Sequence, residues 1–409
     1  MKFYKLKMKK LRLETNILHF FNFKFLIFNL YLLFILGLAG CGSTTTTSVK
    51  PTPKSSTSPA PEEEKGPSIV INGAVLDNYD EVGRPIWKVK ANKSKYDTEK
   101  KMALVQGPDA ELFQDGKVIY RVQAQQAEIE QDGKLLFLKG KIVATDPNNG
   151  VVLRGNELEW RPQQDLLVIR NQIIGSHKQM QAVAQEAKVK TRENRIEFTG
   201  GVAAKSVEPP LQMKTEHLIW QVKQETLIAD RPVQMDRYQG NQITDRGRGD
   251  SAEVNLKTKI ANITKNAQIE MTDPPLQIAS NAMTWNFNNE TVKSSTKIRV
   301  YHRVEQLNVT ANQGELKIPE KIVYLNGDVN AIGDRRQSLR SKSLVWFLNK
   351  QLVEAQGDVA YRQGEPPLTF TGEKAVGNLE SETIAVSAGQ SNGSKVVTEI
   401  IPQGKFLNP

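Results

Sequence analysis

The chain has 409 residues, 39% of them hydrophobic, and a formal net charge of +10 that residues 1–40 largely supply. Setting that segment aside leaves 48 basic against 44 acidic residues, so the high overall charge is a poor argument for nucleic-acid binding. Cys41 is the one cysteine, so no disulfide can form within the chain and apolar packing must hold the fold in any compartment.

In chain order, residues 1–24 carry Lys2, Lys5, Lys7, Lys9, Lys10, Arg12 and Lys24, and an apolar run follows from Phe25 to Leu38. A basic region, an apolar stretch and small residues before a cut make an export signal. Leu38-Ala39-Gly40-Cys41 resembles the bacterial lipobox, which implies a signal peptide over residues 1–40 and a lipidated Cys41. Two or more acyl chains hold a protein stably on a bilayer. Residues 41–67 are rich in Ser, Thr and Pro and read as a flexible tether.

The folded part is expected from residue 68, with a leading strand Ile69 to Leu76, a polar turn at Asp80 to Pro85, and a strand Ile86 to Ala91. From there a unit of about thirty-one residues recurs ten times, anchored on the small residues Ala91, Ala124, Gly155, Ala184, Thr215, Gly249, Ser280, Ala311, Ser341 and Thr371. Counting each anchor as zero, position +5 is apolar or aromatic throughout: Tyr96, Ile129, Trp160, Val189, Trp220, Val254, Trp285, Leu316, Trp346 and Val376. Positions +12, +14, +18 and +20 are apolar in step, as in Ile196, Phe198, Val202 and Ala204, which is the period of a strand with one buried face. Each unit therefore reads as a short strand, a turn and a long bent strand. Gly107, Gly140, Gly200, Gly327 and Gly357 fall at +16, where the alternation predicts that they face inward and leave room.

Alternate units differ. Leu158, Leu218, Met283 and Leu344 stand two residues before the tryptophans, whereas Ala127, Ala187, Ala252 and Gly314 hold that place in the units between. These patterns give an all-β fold class: about ten stacked hairpins whose units bury their cores only against neighbours. The spacing stretches to 34 around Tyr238 to Asp250, consistent with an inserted loop inside one stack or a hinge between two, and this places segments at 68–240 and 241–402, followed by a tail 403–409. Nothing in the sequence reads as catalytic. His177, His217 and His302 occupy unrelated repeat positions, and neither a phosphate-cradling loop nor a nucleophile elbow is present.

The segment Asn72-Gly73-Ala74-Val75-Leu76, then Asp80-Glu81-Val82-Gly83-Arg84-Pro85-Ile86-Trp87-Lys88-Val89-Lys90-Ala91, resembles the opening of LptC, the membrane-anchored component of lipopolysaccharide export. The later units, with a small residue, Leu-x-Trp and Leu-x-Gly-x-Val, resemble the OstA-like repeats of LptA, LptC and the periplasmic part of LptD. The lipobox and the length make the chain similar to the long cyanobacterial-type forms.

The resemblance implies an elongated open antiparallel β-jellyroll, a non-enzymatic function without cofactor or metal, and acyl chains of lipopolysaccharide shielded inside. Leu136, Leu138, Leu158, Trp160, Ile196, Phe198, Trp220, Trp285, Val323, Leu325 and Trp346 would line it. It also implies edge-strand docking: Ile69 and Ile71 toward the LptF/LptG transporter with its LptB ATPase, and Val396 and Ile400 toward an LptA- or LptD-like jellyroll. The rival reading is a structural or glycan-binding envelope lipoprotein in which the same side chains simply fill a solid core.

Overall fold

A computed structural model describes residues 68–130, 133, 135–335, 337–364, 367–388 and 397–400. They form thirty antiparallel strands and two single-turn 3-10 segments, Pro162–Gln164 and Leu348–Lys350. Among the described residues there is no α-helix.

The long strand Arg195–Ser206 shows the plan. Its first half sets Ile196 opposite Trp220 and Phe198 opposite Leu218, and its second half sets Val202 opposite Thr215 and Ala204 opposite Met213. Between the halves lie Gly200 and Gly201, with φ of +82° and +58°, and the pairing register shifts there. Two successive left-handed residues bend the strand sharply, so one strand supplies both walls of an open jellyroll. The same pair recurs as Gly140–Lys141, Asn171–Gln172, Lys265–Asn266, Gly327–Asp328 and Gly357–Asp358.

This corrects the expectation for position +16. The glycines sit at the crease, covered from outside by the side chain that follows each anchor. A Cβ on Gly200 would lie 2.9 Å from Gln185 Cβ, and one on Gly327 would lie 2.9 Å from Asn312 Nδ2. Period-two reasoning assigned them to the inner face because it could not see the two residues that break the alternation. The anchors lie on the inside of the same crease, which is why they must be small. A Cβ on Gly155 would stand 2.7 Å from Ile169 Cγ2, and one on Gly249 would stand 2.5 Å from Ile263 Cγ2.

Cross-strand pairing carries one inward row along the first wall without interruption. It runs Ile69, Tyr96, Ala103, Ile129, Leu136, Trp160, Leu167, Val189, Ile196, Trp220 and Leu227. It continues Val254, Ala261, Trp285, Val292, Leu316, Val323, Trp346, Val353, Gly377 and Ile384. A second row beside it includes Leu138, Leu158, Ile169, Ala187, Phe198 and Leu218. The facing wall carries smaller residues over its middle: Leu153, Gly175, Ala182, Ala204 and Met213, then Met235 and Gly247.

Both ends differ from the sequence expectation. The leading strand is two strands, divided at Gly73 with φ +68°. Ser68–Asn72 joins the first wall through Lys93–Asp97, and Val75–Tyr79 joins the second through Pro85–Lys90. In the last unit the anchor is Gly372 opposite Val359, one residue later than the spacing indicated. Val376 therefore stands in an outward position, and Ala375 and Gly377 take the inward places that Leu and Trp hold elsewhere. Residues 240 and 241 are the tip of the hairpin between Val233–Gln239 and Gln242–Gly249, and both strands pair with neighbours on their other sides.

Position 265 tests the crease directly, because Lys265 holds a φ of +58° where four other bent strands have glycine. A non-glycine residue in that region costs about 1 kcal/mol or more. Lys265→Gly is expected to raise the thermal midpoint, and Gly327→Lys to lower it, in parallel melts followed by circular dichroism.

Candidate functional site

The candidate site is the space between the walls. Leu136, Leu138, Leu158, Phe198, Trp220 and Trp285 are fully buried, and Trp160, Ile196, Val323, Leu325 and Trp346 are 1% exposed. The structure thus brings all eleven predicted lining residues into one continuous core. Four strands separate successive tryptophans, a spacing of about 19 Å at ~4.8 Å per strand.

Bulk on the first wall meets absence of bulk on the second. The ring of Phe198 reaches across to Gly175, where a Cβ would stand 3.0 Å from Cζ, and Trp285 reaches toward Gly247 with Cζ3 3.5 Å from the place of its missing Cβ. Through the middle units the space is filled by the protein's own side chains. Each buried aromatic removes roughly 150–250 Å² from water, about 4–6 kcal/mol gross at ~25 cal/mol per Å².

The C-terminal end is different. There Ala375 and Gly377 stand in place of a Leu-x-Trp pair, and a cavity of about 840 Å³ opens between the walls. Its floor includes Leu307, Ala331, Leu339, Val353 and Ala355, and Arg335 and Glu382 stand at its rim.

Polar groups inside the site are few and specific. The indole N–H groups of Trp160, Trp220 and Trp285 are buried without a hydrogen-bond partner. An unmade bond of this kind costs about 1–3 kcal/mol, so each is a donor in want of an acceptor. Opposite the tryptophans stand groups from the second wall: the rings of His177 and Trp220 are 5.3 Å apart, those of His302 and Trp346 are 5.5 Å apart, and the Arg237 guanidinium lies 5.8 Å from the Trp285 ring. Arg237 is held by Asp245 at 2.5 Å, and Asp245 is itself buried.

Burial holds both His177 and His302 below the ordinary histidine value, with Lys178 adding to the effect at His177 and Arg303 at His302. The Glu305 N–H donates to His302 Nδ1 at 3.1 Å, which fixes that nitrogen as an acceptor.

Sequence reading missed the residues that cover the open side. Val222, Leu256 and Ile318, each seven positions after its anchor, are buried within turns of the first wall, and Phe287, Leu348 and Leu379 pack there partly buried. Their signal was an apolar residue within a turn, which period two does not include. Of the predicted edge residues, Ile69 and Ile71 are the first rungs of the two inward rows and remain 57% and 51% exposed. Ile400 lies opposite Leu368, whereas Val396 and Cys41 lie outside the described residues. Among the described residues no group of His, Cys, Asp and Glu could hold a metal ion.

The sequence model of the family described as "Lipopolysaccharide-assembly, LptC-related" matches residues 30–168, 152–268 and 302–390. The chain belongs to the LptC-related family. Three successive matches agree with a jellyroll built by repetition, and membership ties the chain to lipopolysaccharide assembly. No curated protein matches it. Among solved structures, LptH from Pseudomonas aeruginosa, the LptA homologous periplasmic component of a lipopolysaccharide transport device, is 18% identical. It covers 39% of this chain and 95% of its own, with a TM-score of 0.20. AztD from Citrobacter koseri is 8% identical over 73% of this chain and 95% of its own, with a TM-score of 0.12. At TM-scores this low, neither structure informs the function of this chain.

Two outcomes are expected of this LptC-related core. Phe198→Ala empties the volume against Gly175 and should cost about 3–5 kcal/mol, read as a large fall in the thermal midpoint. For His302, whose folded value lies below the ordinary 6.5, the unfolded chain binds more protons once the pH falls below that value. Stability is therefore complete above pH 6.5 and declines as the pH drops toward the folded value; His302→Gln should flatten that decline in melts between pH 8 and 5.

Proposed function

We propose that this LptC-related protein is a membrane-anchored periplasmic component of the lipopolysaccharide export bridge. In this reading its jellyroll takes acyl chains between its walls and leaves the sugars outside. The observation that carries the reading is the inward apolar row that runs from Ile69 to Ile384 and ends, at both extremities, on strands that among the described residues are paired along one edge only. Such edges on both walls suit extension by neighbouring jellyrolls. The LptF/LptG transporter with its LptB ATPase would meet the N-terminal end, and an LptA- or LptD-like jellyroll the C-terminal one. The ATPase supplies direction, because burial alone yields about 25 cal/mol per Å² whichever way a chain moves. Cys41 would carry the anchor, on the inner membrane.

The unpartnered indole donors support the reading further. Ester or amide carbonyls at the head of each acyl chain would give Trp160, Trp220 and Trp285 the acceptors they lack. The C-terminal cavity would accept the first chain without displacement of any side chain.

A second reading is favoured by the filled middle units: a structural or glycan-binding envelope lipoprotein with a solid core. Photocrosslinking in cells separates the two. Probes at Leu138, Trp160, Phe198 and Gly377 should yield lipopolysaccharide adducts that depend on ATP, with none at the outward Glu159. Adducts at no inward position, in a folded and present protein, would favour the scaffold. Within the conduit reading, a further probe at Ala355 in the cavity should also give an adduct, and Ala375→Leu with Gly377→Trp should fill the cavity and abolish it while leaving the thermal midpoint unchanged or raised.

A further inference from the structure

The crease closes one side of the jellyroll with continuous backbone. The opposite side is a seam where the turns of the two walls meet, and no backbone pairing crosses it among the described residues. Side chains close it instead, and in eight units one of them stands at the same position. Ten residues after each anchor from Gly155 on, counted from Gly372 in the last unit, stand Asp165, Asn194, Glu225, Lys259, Glu290, Lys321, Gln351 and Glu382.

Each of these reaches a residue of the second wall. Asp165 accepts from Gln114 at 2.6 Å, Asn194 from Asn149 at 3.4 Å and Glu225 from Gln179 at 2.7 Å. Lys259 donates to Glu208 at 2.7 Å, Glu290 accepts from Arg237 at 2.8 Å, and Lys321 donates to Asp273 at 2.8 Å. Gln351 donates to Glu305 at 3.1 Å, and Glu382 accepts from Arg335. At the first of these rungs Arg192 also bridges, to Asp115 at 2.8 Å.

All eight residues hold a φ between +49° and +55°, the region where glycine is at ease, yet none is glycine. The turn holds a left-handed residue at each of these rungs, and each of the eight carries a side chain that reaches the other wall. The ion pairs at Lys321 and at Glu382 are exposed, Lys321 and Asp273 being 39% and 72% accessible and Arg335 and Glu382 68% and 59%, whereas the contacts of Asp165, Asn194, Glu225, Glu290 and Gln351 are part-buried. Exposed ion pairs are individually weak and screened by salt, so the seam is fastened at those rungs by breakable ties.

Resting on the reading that an amphiphile is carried, we propose that the seam is the ligand's lateral doorway and that its cations form a head-group site. As the ties part, acyl chains pass between the walls and the sugar-bearing head stays outside. Arg192, Lys259, Lys321 and Arg335 then exchange their carboxylate partners for phosphate groups of the head. Arginine and lysine hold phosphate by charge-assisted hydrogen bonds at least as well as carboxylate, so the exchange conserves the number of ion pairs.

The test fastens the seam reversibly. In the full chain with Cys41→Ser, the pairs Glu208→Cys with Lys259→Cys and Asp273→Cys with Lys321→Cys are bridged by a short bismaleimide containing a cleavable disulfide. A photoreactive residue at Val292, buried between those two rungs, reports purified lipopolysaccharide as a covalent adduct. The expected result is an adduct before bridging, about a tenfold or greater loss after it, and recovery when the bridge is reduced, which excludes misfolding as the cause. An undiminished adduct in the bridged protein would show that chains travel with the seam shut and would overturn the proposal alone. No adduct even in the unbridged chain would overturn the conduit reading and the proposal with it. For the head-group site, the unbridged chain should prefer bisphosphorylated over dephosphorylated lipid A by about tenfold, and Lys259→Gln with Lys321→Gln and Arg335→Gln should abolish that preference. A preference that survives the triple substitution would remove these cations from the site.

Discussion

The structure depends on one backbone device, the pair of left-handed residues that bends six of the long strands. Because of it a single strand belongs to both walls, and the interior is closed on one side by covalent chain. The other features derive from that asymmetry. The anchors are small because they lie inside the bend, as Gly155 and Gly249 do. Residues of the two walls face each other across the interior, as Phe198 faces Gly175 from a different strand. The side without a bend has no backbone to close it and is left to side chains.

The interior follows a size pattern. Large residues fall on one wall at every fourth strand, and small ones oppose them, which fills the space in the middle and leaves it open where Ala375 and Gly377 end the pattern. A packed interior and a carrier of acyl chains are compatible if the walls can part. Ties at the seam made by side chains alone, several of them exposed and singly weak, against a crease that is continuous chain, make parting at the seam the motion of least cost.

Much of this was legible in the sequence. Trp160, Trp220, Trp285 and Trp346 at a fixed offset gave the repeat, the strand alternation and the inner row correctly, because burial on one face of a strand writes itself with period two. The crease glycines were misassigned because Gly200 and Gly201 interrupt that period, and a two-residue bend leaves no alternation of its own. The last unit slipped by one position because Thr371 is small, like an anchor, while Gly372 does the anchor's work. The seam was invisible for another reason: Gln179 and Glu225, or Asp273 and Lys321, are partners 46 and 48 residues apart, and nothing local marks them as a pair.

The central claim is that acyl chains lie between walls that separate to admit them. Spin labels at Asn241 and Lys257, exposed turn tips on opposite sides of the seam, would measure that separation by pulsed dipolar spectroscopy with and without purified lipopolysaccharide. The account predicts a longer distance distribution when lipopolysaccharide is bound. An unchanged distribution, in a sample where the bound lipid is demonstrated, would contradict it.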